Sequence, residues 1–197
     1  MKVLALELSS PVGSVALCDQ HDRRDFRNFP ADRKDSGPFF ENLRAVYPID
    51  PPPDLIVVGI GPGSYAGVRI AIATALGLRA ASAARLRGIP SVCAIEEGEY
   101  VFIGDARRSA FVFAHVIDGR CVEGPILASE EEIHNRLKGA RSFPVVATQR
   151  LPQFGEISVK HPSALRLAAL AKRGDGVDAE TLEPIYLRAP YFTTPGK

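Results

Sequence analysis

The sequence predicts an α/β protein built as two related lobes, each a mixed sheet with helices. Three observations lead there. Strands, a helix, further strands and a further helix recur in each half of the chain. Residues 54–60, Asp54-Leu55-Ile56-Val57-Val58-Gly59-Ile60, form a continuous apolar run of the kind buried on both faces of a sheet. That run feeds a glycine-rich turn and then a long alanine-rich helix. The 197 residues suffice for one domain or two small lobes around a sizeable core. We expect an N-terminal lobe over 1–98 and a smaller C-terminal lobe over 99–197, whose helix near 162–173 packs back on the first.

In order along the chain, residues 3–8 are an apolar run, 9–13 (Ser-Ser-Pro-Val-Gly) are turn chemistry, and 14–18 resume as a second strand of a hairpin. A polar third strand is expected near 24–29. Asp35 or Ser36 caps a helix with Phe39, Phe40, Leu43 and Val46 on one face, ended by Pro48. Pro51-Pro52-Pro53 is a stiff linker into the buried strand. The helix after the glycine turn is expected over residues 67–86. Residues 100–105 and 111–117 form a second hairpin around the polar Arg107-Arg108-Ser109 turn. Ser129-Glu130-Glu131-Glu132 starts a short helix with its acids where the helix dipole favours them. Residues 144–148 read as a strand, and Pro162-Ser163 opens a helix closed by Lys172-Arg173-Gly174. From Asp175 onward the chain reads as loop, anchored by Tyr186-Leu187.

Composition narrows the function. With 46% hydrophobic residues the chain has too much apolar surface to remain disordered. The balance of 24 Lys+Arg against 23 Asp+Glu, net +1, excludes a strongly basic binder whose affinity comes from phosphate contacts. Cys18, Cys93 and Cys121 are odd in number and widely spaced, so buried thiols in a reducing compartment are expected, not disulfides or a zinc site. Glu7 inside the first apolar run fits no signal peptide, and the uncharged stretch 55–68 is short and broken by glycines and Pro62. A cytoplasmic protein without membrane contact is expected.

The most informative stretch is Gly59-Ile60-Gly61-Pro62-Gly63-Ser64-Tyr65-Ala66-Gly67-Val68-Arg69. A strand, a glycine-rich turn and a helix start can bind an anion on backbone N–H groups. Together with Ser9 and Ser10, the residues Gly61, Gly63, Ser64, Gly67 and Arg69 therefore mark either an anion site or a tight turn with close packing. No Gly-Lys-Ser/Thr completes a P-loop, the glycines at 61, 63 and 67 miss the dinucleotide spacing, and Pro62 spoils a nucleophile elbow at Ser64. The tight turn is the simpler account.

The helix behind that turn is apolar nearly all round. Ile70, Ala73, Gly77, Ala80, Ala81 and Ala84 make a ridge of small residues, which lets another helix approach closely. This is the main sign of an interaction surface. Catalytic groupings are sparse: His21, His115, His134 and His161 never fall at i, i+3 or i, i+4. Glu7 is a candidate buried acid, costly unless hydrogen-bonded, and Asp105-Ala106-Arg107 reads as a turn ion pair. No catalytic residue, metal site or cofactor is assigned.

The opening Leu4-Ala5-Leu6-Glu7-Leu8-Ser9-Ser10 with Ser14-Val15-Ala16-Leu17, the block from Gly61 to Ile70, Asp105-Ala106-Arg107 and Pro184-Ile185-Tyr186-Leu187-Arg188 occur in the order seen in one family. The chain resembles the TsaB (YeaZ) family of tRNA threonylcarbamoyladenosine biosynthesis proteins, which are glycoprotease homologues. The resemblance implies an actin-like ATPase fold with two ribonuclease-H-like lobes and a non-catalytic role. It implies pairing with a homologous TsaD-type catalytic subunit, which holds the metal and modifies tRNA, joined by a TsaE-type ATPase. It also implies contact with tRNA only through that complex, and a homodimer when the chain is alone. The family's partner surface is formed by its first two helices, here 36–47 and 67–86, which puts Phe39, Phe40, Leu43, Ile70, Ala73, Thr74, Gly77 and Ala81 at the interface. Family members usually carry Asp at the position of Glu7 and a His-Ser or His-Thr pair where this chain has Asp35-Ser36. The segment 88–101 is short for the helix that normally follows its strand, so a trimmed lobe junction is expected. A nucleotide hydrolase working through the serine and glycine loops, or a glycopeptidase-like enzyme, is the alternative.

Overall fold

The computed structural model describes residues 1–19, 21, 24–31, 35–47, 51–139 and 143–188. Pro48, expected to end the first helix, lies outside them. In the first sheet, β1 (Val3–Glu7), β2 (Val12–Cys18) and β3 (Arg24–Pro30) form an antiparallel meander. Helix α1 (Gly37–Val46) leads to β4 (Leu55–Gly59), parallel to β1. Helix α2 (Tyr65–Ala80) then leads to β5 (Arg85–Ile89), parallel to β4. The second sheet repeats the plan: β6 (Glu99–Asp105), β7 (Ala110–Ile117) and β8 (Arg120–Ser129) form a meander, and α3 (Glu130–Gly139) leads to β9 (Val145–Ala147), parallel to β6. β10 (Ser158–Val159) then runs parallel to β9. A one-turn 3-10 helix, Pro152–Phe154, stands where the first lobe has α2. Apart from β11 (Val177–Asp178), which adds antiparallel to β5, both sheets share the order 3-2-1-4-5, so the two-lobed ribonuclease-H-like architecture holds.

The pleat explains the layering. Leu4, Leu6, Val15, Ile56 and Val58 face one side of the first sheet and pack on Phe39, Leu43, Val68, Ala71, Ile72 and Ala75 of α1 and α2. Val3, Ala5, Ala16, Leu55 and Val57 face the other side. There they join Leu167, Ala168 and Ala171 of α4 (Ala164–Lys172), together with Phe102, Val112 and Ala114 of the second sheet. Helix α4 therefore lies in the core shared by both sheets. Its first turn is fastened to the hairpin, because the amide of Ala164 donates to Oγ of buried Ser14 at 2.8 Å and that of Leu165 to Oγ of Ser163. At the start of α3, Ser129 and Glu132 exchange reciprocal bonds, a capping box.

Three elements differ from expectation, while the segment after β5 is trimmed as expected. Helix α2 stops at Ala80, not 86. Oγ of Ser82 donates to the Leu78 carbonyl, and Arg85 to Ile89 leave the helix to pair with β4. Alanine propensity favoured continuing the helix, but the open edge of β4 offers a full ladder of hydrogen bonds, so tertiary pairing wins. The segment after β5 holds a 3-10 turn at Ser91–Ala94. β8 escaped the pattern reading because Gly124-Pro125 interrupts it with a shift of register. The C-terminal region is also more anchored than expected: β11 joins the sheet, and Leu182 packs on the first core.

Candidate functional site

The glycine block follows β4 and wraps the exit of β1. The amide of Gly61 donates to Oγ of Ser91 at 3.0 Å, and that of Ser64 to the Ser9 carbonyl at 2.7 Å. Ser64 caps α2 by accepting from Gly67 at 3.3 Å. A Cβ on Gly63 would stand 2.8 Å from Cβ of Ser9 and nearer still to its carbonyl oxygen. One on Gly67 would stand 3.1 Å from the carbonyl carbon of Leu8. These two glycines exist because backbone passes backbone there. The amides of Gly61, Ser64 and Gly67 are spent on protein acceptors, and together with the close backbone approach at Gly63 and Gly67 this favours the tight-turn account of the motif. Ser10 is likewise occupied, since its hydroxyl donates to the Val12 carbonyl at 2.8 Å.

Glu7 is fully buried at the end of β1. Its Oε1 accepts from the amide of Ser9 at 2.6 Å, while Oε2 has no hydrogen-bond partner among the described residues. Burial pushes its pKa up, and the bonds from Ser9 and the Ser91 hydroxyl offset that only in part. The carboxyl lies against the bare Cα of Gly59, where a Cβ would be 2.7 Å from both Glu7 Cδ and Ser91 Oγ.

Between the two sheets opens a cleft of about 990 Å³. Ser9, Ser10 and Gly63 stand on one wall, and Phe102, Val112 and Leu127 on the other. At the rim, Asp105 Oδ1 accepts from the Arg107 amide at 2.7 Å, while Oδ2 lies 3.4 Å from the Arg107 guanidinium and 3.3 Å from Nε2 of Gln149. The expected turn ion pair is present. The Arg69 guanidinium lies over the exposed ring of Tyr65 and bonds its hydroxyl.

Of the expected interface residues, Phe39 and Leu43 are core side chains, 2% and 6% exposed, because they face the first sheet. Phe40 is 48% exposed, its ring tilted by 57° to that of Phe39 with the centroids 4.9 Å apart. On α2, Ile70 and Thr74 are half-buried, while Ala73, Gly77 and Ala81 are exposed. Nothing lies within 4 Å of a Cβ placed on Gly77. The small-residue ridge is thus an outward face of the fold from Ala73 to Ala81, whereas Ala84, expected on the ridge, lies beyond the helix and is buried in the core; the core face of α2 is Val68, Ala71, Ile72 and Ala75. Among the described residues no three His, Cys, Asp or Glu side chains gather to hold a metal. His115 pairs with Glu99 at 2.8 Å, and His134 lies 3.9 Å from Glu130. No helix of the described residues is long and apolar enough to cross a membrane.

No family model matches the sequence. Two uncharacterized mycobacterial proteins are similar to it. One from Mycobacterium leprae is 34% identical over 83 residues, 41% of this chain and 23% of that protein. One from Mycobacterium tuberculosis is 27% identical over 146 residues, 70% of this chain and 65% of that protein. The chain therefore spans less than two thirds of the length of these relatives. Among solved structures, YeaZ from Pseudomonas aeruginosa superposes with a TM-score of 0.74 at 23% identity, covering 94% of this chain and all of the other. A protein described as similar to peptidase YeaZ from Pseudomonas aeruginosa gives 0.72 at 25% identity over 95% and 99%. The chain shares the fold of YeaZ.

The order of motifs in the sequence was a sound guide to this YeaZ fold. Sequence reasoning did not find the second wall of the cleft. Thr148, Gln149 and Leu127 come from elements remote in sequence and show no local pattern. The Tyr65 and Tyr186 rings, 5.6 Å apart, meet across the whole chain. Their only advance signal was the pair of otherwise unexplained apolar residues Tyr186-Leu187.

Proposed function

We propose that this chain is a non-catalytic scaffold subunit that activates a homologous TsaD-type catalytic subunit in threonylcarbamoyl modification of tRNA. In this reading a TsaE-type ATPase joins the pair, tRNA is met only through the assembly, and the chain self-pairs when its partner is absent. The setting is the cytoplasm. The observation that carries the reading is the outward face of α2: Ala73, Gly77 and Ala81 leave a shallow, smooth strip on a helix whose opposite face already fills the core. Such a strip lets a second helix approach to short interaxial distance, and Phe40 of α1 adds an exposed apolar edge. The partner surface of this proposal consists of Phe40, Ile70, Ala73, Thr74, Gly77 and Ala81, with Phe39 and Leu43 supporting it from the core.

The alternative, a nucleotide hydrolase, is favoured by the cleft and disfavoured by the occupied amides of the glycine block. Light scattering on the chain alone, and mixed with a TsaD-type subunit with and without ATP, separates the two. A one-to-one complex that is lost in Gly77→Arg, with the variant's own melting temperature unchanged, is the expected result. An unchanged complex with Gly77→Arg removes α2 from the interface, and ATP turnover by the lone chain replaces the scaffold reading with the hydrolase.

A further inference from the structure

We propose that residues 182–188 are a strap that ties the two sheets together across the cleft, rooted firmly in the first sheet and released at Arg188. The root is well secured. Asp178 pairs with Arg85 and Arg87, the Ala179 amide donates to the Leu86 carbonyl at 3.1 Å, and Glu180 pairs with Arg79 at the end of α2. Next, Leu182 seats against Gly88, within 3.0 Å of where a Cβ would be, and the Ile185 amide donates to the carbonyl of Ile60 at 2.9 Å. The chain then turns across the mouth of the cleft. Tyr186 packs on Tyr65 at the start of α2, and Nη2 of Arg188 donates to the Arg107 carbonyl at 2.9 Å on the β6–β7 turn of the second sheet. Ile185, Tyr186, Leu187 and Arg188 all line the cleft.

The turn that receives Arg188 is unusual. Arg107, Arg108 and Ser109 have φ of 65°, 53° and 55°, three consecutive non-glycine residues in the left-handed region. Such backbone persists only where its surroundings over-determine it. Here the Arg107 amide is held by Asp105, while its carbonyl accepts from both Ala110 at 3.2 Å and Arg188. Removing Arg188 takes away one of these clamps. The attachment is asymmetric: ion pairs and backbone bonds at the root, but at the tip only the half-buried Leu187 against the shared core and one exposed guanidinium bond. A segment tied in this way detaches first at the tip, which frees the turn and uncovers Phe102, Val112 and Leu127 on the cleft wall.

Because Tyr65 begins the helix proposed as the partner face, the strap also links α2 indirectly to the second sheet. The strap itself stands without the scaffold reading, since its test uses the full chain alone. Amide hydrogen exchange is compared in the native chain, Arg188→Ala and Arg188→Lys, with tryptic cleavage at Arg107 and Arg108 as a second readout. The expected result for Arg188→Ala is exchange at Ala106, Ala110 and Ile185 at least tenfold faster and cleavage at the turn similarly accelerated. Exchange in β1 and β4 stays unchanged, and Arg188→Lys recovers part of the protection. Unchanged exchange and cleavage at the turn overturn the strap. Faster exchange spread over β1 and β4 as well also overturns it, because Arg188 would then support the fold as a whole.

Discussion

Replacing Gly59 with alanine puts a methyl group into the space that the Glu7 carboxyl uses, 2.7 Å from Cδ of Glu7 and from Oγ of Ser91. Neither neighbour is a flexible end free to swing away. Glu7 lies on a central strand with its Oε1 tied to the Ser9 amide, and Ser91 accepts from Gly61. Overpacking a rigid site of this kind costs about 3 kcal/mol, the upper end of the usual range. Glu7→Ala alone loses the bond to the Ser9 amide and leaves that donor buried, at about 1–3 kcal/mol, offset in part because a buried carboxyl no longer has to be accommodated. In the double variant the alanine at 59 fills space that the carboxyl has vacated, so the two costs should fall short of additive by about 2 kcal/mol. Urea unfolding of the native chain, both single variants and the double variant at pH 7 measures this directly, provided the urea dependence stays constant. Additive costs, or a Gly59→Ala change under about 0.5 kcal/mol of scatter between independent sites, refute the argument. The same group predicts a pH dependence. The folded chain holds the Glu7 proton to higher pH than the unfolded chain, whose carboxyl has its ordinary value near 4.5. Its contribution is therefore fully present below that value and is lost as pH rises through the raised folded value. Glu7→Gln should flatten that part of the stability profile.

Two further outcomes follow from the packing. Gly67→Ala drives a Cβ onto the carbonyl group of Leu8, a backbone obstacle that no rotamer change relieves. It should cost about 3 kcal/mol and lower the melting temperature by about 6–12 °C, and a change under 2 °C would show that the loop yields freely. Asp175 is nearly buried; burial alone would raise its pKa, but the Arg173 and Arg120 guanidinium groups outweigh it and hold the carboxyl below its usual range. Its contribution is present above the ordinary carboxylate value and is lost as pH falls through the lowered one. Asp175→Asn should thus cost about 1–2 kcal/mol at pH 7 and progressively less in acid, and a cost independent of pH would mean that the arginines contribute little.

Much of the first lobe was legible because its signals are local. Residues 55–59 are apolar throughout and read as a central strand, the glycine-rich turn announces the helix behind it, and in the second lobe Ser129 with its following acids announces the start of α3. The face of α2 was legible too, since helical spacing alone groups Ala73, Gly77 and Ala81. What misled was the continuity of alanine through residues 81–84, where propensity and pairing conflict, and the apolar stripe of α1. Spacing places Phe39, Phe40 and Leu43 together there, but only packing shows that two of them are core.

The sequence by itself determined the alternation of strands and helices, the glycines at the first strand-to-helix turn, and a helix with a small-residue face. These depend on periodicity and on what a backbone without Cβ can do. Tertiary structure decided the rest. It spent the loop amides on Ser9 and Ser91, turned Arg85 to Ile89 from helix to strand, set Glu7 against Gly59, and carried Arg188 across the cleft to Arg107. Each of these joins groups far apart in the chain or trades a local preference for a long-range bond. Periodicity records which face a residue presents, but not which partner will meet it.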